Sequence, residues 1–228
     1  MTKIEFTDEY KELLLQIPLF RDLEPGLKRR LIAELEFVLY EVPRKAVVLQ
    51  QDTRCNHLYV LLKGELSVDI IDVAGNLVRV EEIIAPRAFA TPHLFGNNNT
   101  LPATFTAGKE SALLMATRSS VFKLISSEPQ LLHNFLCVTG NCNKCTVLRL
   151  RILSYKNLRS RFVYYLMEHR TNANTALLEH NQVQLADYLS VTRPALSKEI
   201  NKMIKEGQIA VNKKEVTLLD MQALKEYI

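Results

Sequence analysis

From residue 7 to residue 41 the apolar positions recur at three- and four-residue spacings. Leu13, Leu14, Ile17, Leu27, Leu31, Leu35 and Val38 keep that rhythm, which predicts helix, with Glu24-Pro25-Gly26 as an internal turn and Pro43 as the end. From Ala46 the rhythm shortens. AVVLQQ, HLYVLLKG, ELSVDIID, NLVRVEEII, ATFTAG and ESALLMAT are rich in Val, Ile, Leu and Tyr. Asp52-Thr53, Lys63-Gly64, Ala74-Gly75-Asn76, the polar Gly96–Thr100 loop and Gly108-Lys109 separate them. Short strands at this spacing predict an antiparallel sandwich or barrel, with DVAGNL as a hairpin turn.

Helical spacing returns from Ser119 to about Lys156, and it carries two stripes. Leu131, Phe135, Val138, Cys142, Cys145, Arg149 and Ile152 form one row. Leu132, Leu136, Thr139, Asn143, Thr146, Leu150 and Leu153 run beside it. A helix with two such stripes must bury both, which predicts one on its own barrel and the other on a partner helix of a parallel dimer. Beyond it the chain reads as helix, helix-turn-helix, hairpin and a last short helix, with NANTALLEHN as a polar linker.

The segment from Asn181 to Leu219 is the most informative. Asn181 and Gln184 form a capping-box pattern that opens QVQLADYL. Ser190-Val191-Thr192 is a short turn, and Thr192 is a natural N-cap for RPALSKEINKMIKEG, whose Pro194 falls in the first turn. Leu196, Ile200 and Met203 or Ile204 make the buried stripe, and Gly207 is placed to end the helix. Arg193, Ala195, Ser197, Lys198, Asn201, Lys202 and Lys205 lie off that stripe. Such a face suits a major groove, where Arg and Asn read base edges and Lys meets phosphates. QIAVN and EVTLL follow with Lys213-Lys214 at their turn, which predicts a basic-tipped wing on the DNA backbone.

Charge supports that reading. The net charge of the 228 residues is +4, yet residues 149–228 hold 13 Lys and Arg against 8 Asp and Glu, while residues 1–148 hold 16 against 17. The basic character therefore sits where an acidic polymer would be met. A composition of 47% hydrophobic and 24% charged residues with 7 Gly and 8 Pro excludes collagen-like, disordered and disulfide-framework classes. The charged opening MTKIEFTDEYKE predicts no secretory leader, and no apolar run reaches the ~18 residues of a membrane span. Four Cys in such a chain are expected as free thiols in a reducing cytoplasm.

With these motifs in order, the whole chain resembles the cAMP-receptor/FNR family of bacterial transcription regulators. HLYVLLKGELSVDIIDVAGN is similar to the family's strand-Lys-Gly-strand segment, and LADYLSVTRPALSKEINKMIKEGQI to its helix-turn-helix. The resemblance implies an α+β fold. It would comprise an N-terminal double-stranded, jelly-roll-like β-roll with N-terminal helices (1–128), a long dimerisation helix (129–156) and a C-terminal winged helix-turn-helix (157–228). It implies a homodimer on a palindromic operator in double-stranded DNA, with RNA polymerase as a further partner and a small-molecule effector or none. Arg193 matches the arginine that opens the family's recognition helix, and Ser197-Lys198 matches the Ser-Arg pair of the FNR branch with Lys for Arg. Pro194 stands where many members have a base-reading Glu, so neither branch's operator sequence carries over.

The sensor segment departs from the family. Cyclic-nucleotide members carry Gly-Glu-x-x-Leu-Phe followed by Arg-Ser/Thr-Ala, whose Glu takes the ribose hydroxyl and whose Arg pairs with the phosphate. Here the matching stretches are Phe89–Phe95 and Leu101–Thr104. Thr91 or Pro92 holds the acidic position and Leu101 or Pro102 the arginine position. Cyclic AMP is therefore not the expected effector. Phe89, Thr91, Leu101, Pro102 and Ala103, with Thr146 from the long helix, are the pocket candidates. The first cysteine is Cys55, so the N-terminal cysteine group of the FNR branch is missing. Cys142 and Cys145 form a C-x-x-C near Cys137 and His133, expected as small apolar residues in a helix seam, with no metal and no cofactor. His57, His93, His133, His169 and His180 show no metal-motif spacing, and no catalytic signature appears. Two rival classes remain: a small-ligand or cyclic-nucleotide module acting through protein contacts, and a thiol redox enzyme lacking its usual βαβ context.

Overall fold

The computed structural model describes residues 1–71, 75 and 77–228, with backbone alone for Val78 and for 143–146. Most of the expected hairpin turn (Asp72, Val73, Ala74 and Asn76) and the side chains of Cys145 and Thr146 lie outside the described residues. The chain separates into two compact units, Met1–Lys144 and Cys145–Ile228.

The first unit runs β1 (Thr2–Ile4), α1 (Asp8–Gln16), a 3₁₀ turn at Pro18–Phe20, α2 (Pro25–Glu34), β2 (Phe37–Val42), β3 (Val47–Leu49), β4 (His57–Lys63), β5 (Glu65–Ile71), β6 (Leu77–Ile84), β7 (Arg87–Phe89), α3 (Thr91–Leu94), β8 (Thr104–Ala107), β9 (Ser111–Thr117) and α4 (Arg118–Ser127). It also takes in the start of α5 (Pro129–Ser154). The strands form two antiparallel sheets, β1-β2-β9-β4-β7 and β3-β8-β5-β6. The run HLYVLLK of β4 is apolar without alternation because both of its faces are covered. Leu58 and Val60, with Leu114 of β9, meet Leu14, Leu19, Leu31, Val121, Leu124 and Leu131 of the helical layer. Tyr59 points the other way and stacks on Phe89 at 5.7 Å, and Phe89 meets Phe105 at 5.2 Å. Asn134 of α5 fixes the N-terminal turn by donating to the carbonyls of Leu19 (3.0 Å) and Arg21 (2.8 Å).

The helical expectation over 7–41 fails at its end. Helix α2 stops at Glu34, with the Leu35 N–H closing on the Leu31 carbonyl at 3.0 Å. Phe37–Val42 is a strand paired with β9 from Phe37↔Ala116 to Val42↔Ser111. Val38 continued the helical spacing by coincidence. The aromatic and β-branched residues Phe37, Val38, Tyr40 and Val42 fit a pleated surface better than a helix.

The second unit holds the rest of α5, then α6 (Leu158–Glu168), β10 (Thr175–Leu177), α7 (Gln182–Tyr188), α8 (Arg193–Lys205), β11 (Ile209–Asn212), β12 (Glu215–Leu218) and α9 (Met221–Lys225). Its sheet order is β10-β12-β11. Strand β10 corrects the reading of NANTALLEHN as linker: Ala176 is fully buried and pairs with Val216. Three residues are too few for their alternation to stand out. Phe162, Tyr165, Leu185, Leu196, Met203, Ile209, Val216 and Leu224 belong to one buried cluster.

Along α5 the first stripe is covered, with Leu131, Phe135 and Ile152 buried. On the second stripe Leu132, Leu136 and Leu150 are exposed, the last two at 60% and 63%, and Val147 beside it is exposed at 62%.

Gly64 marks the tightest point of the roll. Its φ is +91°, and a Cβ there would fall on Ser111 Oγ and lie 2.8 Å from the Glu110 carbonyl oxygen. Gly64→Ala combines left-handed strain of about 1–2 kcal/mol with a backbone clash, so a loss of at least ~2 kcal/mol is expected. Urea unfolding followed by circular dichroism checks it, and an unchanged midpoint contradicts it.

Candidate nucleic-acid interface

Local hydrogen bonds determine where α7 and α8 begin. Asn181 Oδ1 accepts from the N–H groups of Val183 (2.9 Å) and Gln184 (3.0 Å), while Gln184 Oε1 accepts from the Asn181 N–H (2.9 Å). That is the full capping box expected from the sequence. The chain then turns through Leu189, fully buried, and Ser190, at φ 55°. Thr192 Oγ1 accepts from the Ala195 N–H at 3.4 Å and starts α8, with Pro194 in the first turn, where no N–H is needed. Gly207, at φ +70°, follows the end of the helix.

Helix α8 buries Leu196, Ile200 and Met203 and exposes Arg193, Lys198, Asn201, Lys202 and Lys205, with Ser197 half-buried at the margin. Ile204, the alternative to Met203 as the third stripe position, is 40% exposed. The wing closes from Asn212↔Glu215 around Lys213 and Lys214, both exposed. Lys213 is left-handed at φ 54°. The candidates of α8 thus share one face, and the two wing lysines stand at the tip of the adjoining hairpin.

Several residues that brace this surface were not singled out from the sequence. Arg159 of α6 reaches Glu199 of α8 at 2.5 Å, Glu206 at its C-cap at 2.6 Å and the Tyr227 hydroxyl at 3.0 Å, with its guanidinium 5.3 Å from the Tyr227 ring centroid. Burial opposes its charge, but the hydrogen bonds to Glu206, Glu199 and Tyr227 outweigh burial and stabilise the cation. The same contact holds the Glu206 carboxyl below its ordinary range. Arg161 donates to the carbonyls of Tyr155 (2.8 Å) and Leu189 (3.0 Å), which ties the end of α5 to the helix-turn-helix turn. Tyr165, fully buried, meets His180 Nδ1 at 3.0 Å, and burial raises its phenol pKa. The signal for Arg159 was an arginine in the first turn of a helix, where the helix dipole disfavours a cation.

In the first unit, Phe89, Leu101 and Ala103 are buried and Pro102 is exposed; the side chain of Thr146, in the second unit, lies outside the described residues. Thr91 is buried with its Oγ1 3.9 Å from Cys142 Sγ. Cys55 is buried, and desolvation pushes its thiol up to about 11, while exposed Cys137 has its Sγ 3.5 Å from His133 Nε2. Among the described residues no group of three or more His, Cys, Asp or Glu is placed to hold a metal ion. No described helix is long and apolar enough to cross a membrane.

The architecture is a two-sheet, jelly-roll-like unit, a long helix and a winged helix-turn-helix. The cyclic nucleotide-binding domain family matches residues 39–128, and the Crp-like helix-turn-helix domain family matches residues 160–227. A Lacticaseibacillus casei protein, "Probable transcriptional regulator flp", is 25% identical over 219 residues, covering 92% of this chain and 95% of its own. A doubly substituted mutant of CooA from Carboxydothermus hydrogenoformans has a TM-score of 0.65 at 20% identity, over 100% of this chain and 99% of its own. Catabolite activator protein from Thermus thermophilus has a TM-score of 0.54 at 19% identity, over 92% and 97%. The chain belongs to the Crp/Fnr family of transcription regulators, with a helix-turn-helix of the DNA-binding type.

The Asn181 cap gives the test of this geometry. Asn181→Ala removes both side-chain acceptor bonds and should cost about 1 kcal/mol, whereas Asn181→Ser should cost a few tenths. Thermal unfolding that does not separate the two variants contradicts the cap's role.

Proposed function

We propose that this chain is a cytoplasmic, homodimeric regulator that binds a palindromic operator in double-stranded DNA. Arg193, Ser197, Lys198, Asn201 and Lys202 would face the major groove, and Lys213 and Lys214 the phosphates. The observation that carries this reading is the α8 surface: a polar, basic face opposite buried Leu196, Ile200 and Met203, continued by two lysines at the wing tip. The exposed stripe Leu132, Leu136 and Leu150 supports pairing of two subunits through α5. Two recognition helices about 34–36 Å apart enter successive major grooves, and the sensor would act by shifting the population of dimers with that spacing. RNA polymerase is the expected protein partner.

Cyclic AMP is not its effector in this reading. From Phe89 to Thr106 the chain contains no Arg, Lys, Asp or Glu. The Tyr59–Phe89–Phe105 ring contacts and the buried Leu101 and Ala103 are apolar. A cyclic phosphate brought there would lose water without gaining a charge-assisted partner. The effector is a less polar molecule, or the domain holds its DNA-competent state without one.

In anisotropy titrations on operators selected from a random library, Arg193→Ala should cost about 1–3 kcal/mol and relax discrimination at one base pair. Lys213→Ala should weaken every duplex alike and lower the salt slope by about one unit. Addition of cyclic AMP should leave the wild-type isotherm in place. Arg193→Ala binding every sequence as the wild type does overturns the groove assignment.

The pairing of α5 helices has its own measurement. Sedimentation at micromolar concentration should give a dimer, and Leu150→Glu, which buries an unpaired charge on association, should shift it toward monomer. A monomer that still binds a palindrome tightly contradicts the dimer.

A further inference from the structure

Helix α8 carries its own contradiction: alongside Arg193, Lys198, Lys202 and Lys205 it holds Glu199 and, at its C-cap, Glu206. A carboxylate at a helix C-terminus is disfavoured by the dipole, and both acids would repel a phosphate backbone. One residue of another helix holds both, and Lys202 of α8 itself also stands 4.0 Å from Glu206. Arg159 takes Glu199 at 2.5 Å and Glu206 at 2.6 Å, and its own side chain is only 13% exposed. Tyr227 completes the grip, its hydroxyl 3.0 Å from the guanidinium and 3.3 Å from Gln208 Nε2. On the helix wheel Glu199 and Glu206 flank one side of the Leu196–Ile200–Met203 stripe, away from Ser197 and Asn201.

We propose that Arg159 is a positioning residue for DNA binding. It touches no DNA; it neutralises Glu199, takes the closer share of Glu206 (2.6 Å, against 4.0 Å for Lys202) and fixes α8 about its axis, so that the two acids draw less on the helix's basic face. This rests on the DNA-binding reading above and adds the residue that sets the charge of the recognition helix. Arg serves here where Lys would not, because its planar fork reaches two carboxylates at once.

A mutant cycle on the full-length chain tests it, with a labelled duplex of random sequence, whose binding is dominated by electrostatics. Arg159→Gln should weaken binding about tenfold at about 50 mM salt and less at about 200 mM, as screening shortens the reach of the freed carboxylates. Glu199→Gln with Glu206→Gln should recover about tenfold in that background but change affinity less than about threefold with Arg159 in place. Equal gains in both backgrounds, or a salt-independent loss without recovery, would make Arg159 a structural clamp and overturn the proposal. Should Arg159→Gln fail to fold by circular dichroism, the double Gln variant beside intact Arg159 still decides: tenfold tighter binding overturns the proposal, and near-neutrality supports it. A wild-type chain that does not bind the duplex at all refutes the DNA-binding reading itself. Wild-type binding matched by Arg159→Gln refutes this inference alone.

Discussion

One burial constraint governs the orientation of the polar, basic face of α8. Leu196, Ile200 and Met203 lie on a single line along α8 and all three are buried. A helix offers one rotation that hides such a line, so the side chains opposite it are committed to solvent. The caps at Asn181 and Thr192 set where α7 and α8 begin, and the Arg161 bond to the Leu189 carbonyl fixes the turn between them. Each of these contacts refines a phase that the apolar stripe already imposes.

The parts of this arrangement that were legible in the chain are those encoded by local rules. Capping residues, the proline of a first turn, an apolar stripe and a two-residue wing turn each act within a few positions, and each was readable at Asn181, Thr192, Pro194 and Lys213-Lys214. What escaped depends on partners distant in sequence. Arg159 meets Glu199 and Glu206 forty and forty-seven residues away, and no spacing rule connects them. Ala176 became a strand because Val216 lies beside it, and Phe37–Val42 because β9 does. In both places tertiary pairing overrode a reading made from periodicity alone.

The first unit is built around one doubly covered strand. That strand, β4, anchors the two-sheet roll and the short α3. Of the pocket candidates read from the sequence, Phe89, Thr91, Leu101 and Ala103 are buried and Pro102 is exposed. Thr91, buried and facing Cys142, brings α3 against the long helix within the same unit. A shift of α3 would therefore be felt by the first part of α5.

Lys213 sets two demands against each other at one position. Its φ of 54° is a conformation that glycine adopts freely and a lysine adopts at a cost of about 1–2 kcal/mol. A glycine would relax the turn and discard a cation at the wing tip. Selection for heat resistance and selection for grip on an acidic polymer therefore pull this codon in opposite directions.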